Sequence, residues 1–196
     1  MARKTAAEAA RTRDTIVDAG LTVFAERGYA AAQLEEIARR ASVTRGALYH
    51  HFTDKTELFL AALQERWESV MDPVFAALES GRSPRARLTA FVSAFLRTMD
   101  GHPQARALMK MSLSGDLALP QFSPHAGSKQ QTFAAWRTAI ARVLREAGRD
   151  PGARDRAQAL LASLLGYALL TSLDPTTPDP ATREQCTRAF VQGALA

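Results

Sequence analysis

Residues 34–52, LEEIARRASVTRGALYHHF, decide how the rest of the chain is read. Leu34, Ile37, Ala38 and Ala41 recur at helical spacing and predict one short helix. Ser42-Val43-Thr44 makes a three-residue turn. Thr44 is placed to cap a second short helix, Arg45-Gly46-Ala47-Leu48-Tyr49-His50-His51, with its hydroxyl. Two helices joined by so short a turn, with Val43 pinning the corner, predict a helix-turn-helix. In that motif the second helix enters the DNA major groove, where its side chains meet phosphates and base edges.

Working outward, the 196 residues suffice for one or two domains with a real core, and 46% apolar with 23% charged residues is a globular balance. The net charge of +5 is compatible with nucleic acid but decides little. Residues 1–60 carry nine Lys/Arg against eight Asp/Glu, a net of +1, so the DNA reading rests on where the charges sit. The segment Ala2-Arg3-Lys4, with Arg11 and Arg13, supplies cations that an N-terminal arm brings to phosphates. The single Cys186 excludes an internal disulfide and reads as a small buried apolar residue in a reducing compartment. No apolar run reads as a membrane span and no signal peptide opens the chain, so a cytoplasmic protein is expected.

Taken in order, a first helix is predicted from about Thr12 to Arg27, with Ile16, Ala19, Gly20, Val23 and Phe24 on one face. Gly28 should end it, with Tyr29 folding back on Phe24. After the helix-turn-helix, Asp54 reads as the cap of a fourth helix, with Glu57 three residues on. Pro73 inside that helix predicts a kink or break at Asp72. Further helices are predicted from Pro84 to about Met99, Gln104 to Ser112, Lys129 to Ala147, Ala153 to Leu173 and Ala181 to Leu195, with residues 114–127 the longest loop. No period-2 alternation appears. The chain is therefore all-α, with about nine helices: a three-helix head over residues 1–53 and a larger helical body over 54–196.

The segment from Ile16 to Leu63 resembles the tetracycline-repressor (TetR) family of transcriptional regulators, and more loosely its multidrug-efflux-regulator branch. The resemblance is carried by Phe24-Ala25-Glu26-Arg27-Gly28-Tyr29, Ile37-Ala38, Ala41, Val43-Thr44-Arg45-Gly46-Ala47-Leu48-Tyr49, His51-Phe52, Asp54-Lys55 and Leu58-Phe59. It implies that Thr44, Arg45, Gly46, Tyr49, His50 and His51, on or beside the recognition helix, contact DNA, and that Lys55 contacts a phosphate. Arg45 suits a bidentate contact to guanine or to a phosphate. Three residues depart from the family pattern. Gln33 replaces a capping Thr, although its amide still reaches toward a phosphate. Ser42 stands where the turn often has Gly, and His50 where an aromatic is common.

In the body, Trp67, Met71, Phe91, Phe95, Met99, Met109, Phe122, Phe133 and Trp136 are core residues or, in part, the lining of a pocket for an apolar ligand. His102 and His125 read as loop residues. The resemblance places the dimer interface on the last two helices, as a seam of Leu161, Leu164, Leu165, Ala168, Phe190, Val191 and Ala194. Neighbouring His50 and His51 diverge on a helix and do not form a metal site. Glu35 and Glu36 beside Arg39 and Arg40 read as i,i+4 ion pairs. No catalytic set, phosphate loop or metal cluster is visible, so neither enzyme activity nor a cofactor is expected. The resemblance implies a homodimer on operator DNA, most naturally a repressor of nearby efflux or metabolic genes, released by a small apolar or amphipathic effector. The alternative is a DNA-binding regulator without small-molecule control, switched by a partner or acting as an activator.

Overall fold

A computed structural model describes residues 5–114, 116, 119, 120, 122, 126–148, 151–174, 176 and 178–196. Arg3, Lys4 and His125 lie outside the described residues. The helices are α1 (Ala6–Ala31), α2 (Leu34–Arg40), α3 (Arg45–His51), α4 (Lys55–Ala76), α5 (Pro84–Gly101), α6 (Pro103–Leu113), α7 (Ala126–Glu146), α8 (Ala153–Leu173) and α9 (Pro180–Leu195). A 3₁₀ turn, Ala77–Glu79, follows α4, and there is no strand among the described residues. The fold is all-α.

Helix α1 begins six residues before its predicted start. Thr5-Ala6-Ala7-Glu8 is a capping box: the Thr5 hydroxyl accepts the Glu8 amide at 3.3 Å, and the Glu8 carboxylate accepts the Thr5 amide at 2.8 Å. Gly28 does interrupt the helix, at φ 73° and ψ 166°, but one more turn follows, to Ala31. Tyr29 stacks on Phe24 with ring centroids 6.2 Å apart. Pro73 does not break α4, which continues to Ala76. Proline deprives only the carbonyl four residues back of its partner, and both Pro73 and Ser69 are exposed, so water reaches that carbonyl.

Helix α1 packs on α4 and α6, while α5 lies against α8 and α9. One continuous apolar core joins these elements. The aromatic residues of the body fill two clusters within it. Phe122, fully buried, sits 4.9 Å from both the Tyr29 and Phe59 rings. Trp67 stacks on Trp136 at 5.5 Å, and Phe75 and Phe133 flank Trp136 at 4.7 and 5.5 Å. Met71, Phe91, Phe95, Met99 and Met109 are at most 2% exposed. The residues named as pocket lining thus pack on one another and on the core, with Trp67 and Phe133 half-buried. An open groove of about 970 Å³ lies elsewhere, between the end of α4 and α5, lined by Ala76, Ala77, Ala90, Ala94, Arg85 and Arg97 among others.

Leu161, Leu164, Ala168, Val191 and Ala194 are buried within the single chain, and Leu165 and Phe190 are half-buried. The large apolar side chains that α8 leaves exposed are Leu169, Leu170 and Leu173, at 38%, 67% and 72%. Helix α8 is also long and apolar enough to cross a membrane by length and composition, contrary to the sequence expectation. Its inward face is instead covered by α5, α6, α7 and α9.

Candidate nucleic-acid interface

The site is built from the ends of α1, α2, α3 and α4. Helix α2 starts at Gln33, whose side chain makes no cap hydrogen bond. Its C-terminus closes with the Val43 amide donating to the Ala38 carbonyl at 3.0 Å and the Ser42 amide donating to the Arg39 carbonyl at 3.1 Å. That is the Schellman arrangement, with Ser42 in the left-handed position at φ 55°. Ser42 therefore performs the turn that Gly would make without steric cost. Thr44 then caps α3 by accepting the Ala47 amide at 3.1 Å, as its position predicts. Leu48, fully buried, anchors α3, so the opposite face is fixed outward.

That outward face carries the predicted contacts. Gln33, Thr44, Arg45, Gly46, Tyr49 and His50 are all exposed, and His51 is half-buried. A Cβ on Gly46 would come no closer than 4.0 Å to the Thr44 hydroxyl, so the glycine leaves a gap in the surface rather than serving packing. The His50 and His51 rings lie edge to face with centroids 5.3 Å apart. No group of three or more His, Cys, Asp or Glu among the described residues is arranged to hold a metal ion.

Lys55 has a different setting. Its ammonium donates to the Ala30 and Ala32 carbonyls, both at 3.1 Å, and sits 4.6 Å from the centre of the Tyr29 ring. Helix α1 has no basic residue in its last turn, and Lys55 supplies that cation from α4. Two of its three N–H donors are thus committed to holding α4 against α1, leaving one for a phosphate. Asp54 caps α4 by accepting the Glu57 amide at 2.8 Å. The Glu57 carboxylate returns to Thr53, accepting its amide and its hydroxyl at 2.7 Å each, which holds Glu57 below its ordinary pKa.

The acidic residues of α2 also separate. Glu36 pairs with Arg40 at 2.9 Å, the i,i+4 pair read from the sequence, and Arg40 reaches Glu26 of α1 at 2.6 Å. Glu35 instead crosses the turn to Arg45, with its carboxylate 2.9 Å from Nη1. The Arg45 Nη2 donates to the Tyr49 hydroxyl at 3.4 Å, and the guanidinium lies 5.4 Å from the centre of that ring. These partners, the Tyr49 hydroxyl first, hold the guanidinium above its ordinary pKa. Sequence spacing favoured Arg39 as the partner of Glu35, because Arg45 belongs to another helix.

Behind this surface α1 is riveted to the body. Arg13 and Glu65 form a bidentate pair at 2.7 and 2.6 Å. Arg66 bridges Asp14 and Asp18 at 2.6 and 2.7 Å, and Gln104 of α6 donates to Asp18 at 2.8 Å. Asp116, beyond α6, accepts the Tyr29 amide at 3.0 Å just after the Gly28 interruption. None of these long-range partners was legible from local spacing.

A capped two-helix unit set on α1, with a polar outer face, defines the helix-turn-helix class. Residues 16–62 match the family model described as bacterial regulatory proteins, tetR family. The chain is 43% identical over 104 residues to the HTH-type transcriptional regulator TtgW of Pseudomonas putida, covering 44% of this chain and 75% of that protein. It has the same identity over 104 residues to the HTH-type transcriptional regulator SrpR of Pseudomonas putida, covering 44% of this chain but 47% of that protein, about half its length. The crystal structure of a transcriptional regulator from Rhodococcus superposes with a TM-score of 0.73 at 27% identity, covering 93% of this chain and 95% of the other. The chain belongs to the tetR family.

Proposed function

We propose that this protein is a homodimeric DNA-binding transcription regulator, most naturally a cytoplasmic repressor, that sets α3 of each subunit into successive major grooves of a near-palindromic operator. The observation that carries the reading is the exposed polar face of α3: Thr44, Arg45, Gly46, Tyr49 and His50 project from a helix whose inward side is fixed by Leu48. Recognition helices related by a two-fold axis read half-sites about 34–36 Å apart. Head residues 1–53 and body residues 54–196 divide the work of DNA contact from that of dimerisation and effector response.

The dimer face is drawn from the outward sides of α8 and α9. Ala162, Gly166, Leu169, Leu170 and Leu173 follow one stripe of α8, and Ala189 and Gly193 one stripe of α9. Gly166 and Gly193 lie inside helices, where glycine costs about 1 kcal/mol relative to alanine, and each faces open space in the single chain. Close approach of a partner helix accounts for both. The seven residues of the predicted seam then support this face from beneath.

A small apolar or amphipathic effector would act by preferring a dimer with a wider separation of recognition helices, transmitted through α4. The ion pairs and hydrogen bonds joining α1 to α4 and α6 support that route. Packing of Trp67, Phe75, Phe133 and Trp136 on one another favours the second reading, a regulator switched without a small molecule. Footprinting on the DNA upstream of the protein's own gene tests the central claim. Protection of two half-sites one helical turn apart is expected, and no protection at any protein concentration below the non-specific range refutes it.

A further inference from the structure

Arg45 can meet DNA in two ways, at a phosphate or at a base edge, and its surroundings distinguish them. We infer that Glu35 is a specificity-determining residue: it neutralises and aims Arg45, so that Arg45 reads a base edge and is not a phosphate clamp. The inference rests on the docking of α3 proposed above.

The Glu35 carboxylate lies 2.9 Å from Arg45 Nη1, across the turn from α2. Both side chains remain largely exposed, at 64% for Arg45 and 55% for Glu35, so the pair stands on the outer surface and not in the core. On its other side the guanidinium is met by the Tyr49 hydroxyl and ring. A guanidinium has five N–H donors. The Tyr49 hydroxyl engages one, the Glu35 carboxylate lies against Nη1 as an ion pair, and the other donors remain for DNA.

A guanidinium already paired with a carboxylate has little net charge to offer a phosphate, and a phosphate approaching Nη1 meets the Glu35 charge. The counterion-release contribution that a free arginine makes on any DNA is therefore suppressed. The remaining donors still match the O6 and N7 acceptors of guanine, which are neutral and are not repelled. Restraint from two sides also removes part of the rotamer freedom that an arginine otherwise loses on binding. Glu35 thus lowers attraction to all DNA while leaving the sequence-reading contact in place.

The test compares wild type, Arg45→Ala, Glu35→Gln and the double variant on two duplexes of equal length: one enriched by the wild-type protein from a random pool, and one of unrelated sequence. Dissociation constants are measured over a range of salt concentrations, with circular dichroism checking the fold. Arg45→Ala should weaken binding to the enriched duplex about tenfold or more, while leaving the unrelated duplex and both salt slopes unchanged. Glu35→Gln should tighten binding to the unrelated duplex several-fold, steepen its salt slope by about one per subunit, and reduce the ratio between the two duplexes. The double variant should lose that steepening.

Equal losses on both duplexes for Arg45→Ala, with salt slopes shallower by about one per subunit, would make Arg45 a phosphate clamp and overturn the inference. An unchanged slope and ratio in Glu35→Gln would overturn it as well. If Arg45→Ala alters neither duplex, or no duplex is enriched, it is the docking of α3 itself that fails.

Discussion

Replacing Ser42 by glycine should stabilise the protein. Ser42 is the one non-glycine residue at positive φ among the described residues, at 55°, and it occupies the left-handed position of the Schellman turn between α2 and α3. An L-residue pays about 1–2 kcal/mol for that conformation, because Cβ crowds the following carbonyl oxygen. Glycine avoids this but loses more backbone freedom on folding, about 0.5–1 kcal/mol. The Ser42 side chain is exposed, so its removal forfeits no buried contact. The net expectation is a gain of about 0.5–1 kcal/mol, or about 1–4 °C in Tm for a chain of this size. Ser42→Val should move the other way by about 1 kcal/mol or more, since branching at Cβ worsens the same clash. Thermal and urea unfolding at one fixed protein concentration measure both, because dimerisation adds a concentration-dependent share of stability. If Ser42→Gly is no more stable than wild type, or Ser42→Val is its equal, backbone strain at this turn is not what the φ angle implies.

Phe122→Ala should cost about 3–5 kcal/mol in unfolding experiments, since it empties a fully buried ring site between Tyr29 and Phe59; a cost below 1 kcal/mol would mean that this aromatic contact does not join head to body. Gly193→Leu should shift sedimentation from dimer to monomer while the helical dichroism is retained, whereas an unaltered dimer would exclude the outward face of α9 from the interface. Burial raises the Tyr167 phenol pKa first, and its hydrogen bond to Asp100 at 2.7 Å raises it further. Its folded pKa therefore lies above the unfolded value of about 10, so the stability it contributes is complete below pH ~10 and is lost as pH rises beyond it. Alkaline unfolding followed by tyrosinate absorbance should occur at higher pH in Tyr167→Phe, after correction for the neutral-pH stability change; an unshifted midpoint would count against the linkage.

The 19 residues from Leu34 to Phe52 by themselves determined a helix-turn-helix. The signals that mark it are local: apolar spacing within two short helices, a Thr44 cap three residues from its partner, and a turn that needs one left-handed residue. Local physics also made the all-α class legible, but it overlooked a capping box at Thr5-Ala6-Ala7-Glu8, the turn of helix beyond Gly28 and the tolerance of Pro73 on a wetted face. The assignment of faces in the body was decided by tertiary packing alone. Helix α8 is apolar nearly all round, so its period does not say whether Leu164 or Leu170 points inward; contact with α5, α7 and α9 does. The same holds for charges. Glu35 has Arg39 at helical spacing in the sequence, yet the turn brings Arg45 from another helix to 2.9 Å. Lys55 is committed to carbonyls 25 and 23 residues earlier in the chain. Spacing along one helix identifies partners within it, whereas partners across helices are set by a chain path that no local period encodes.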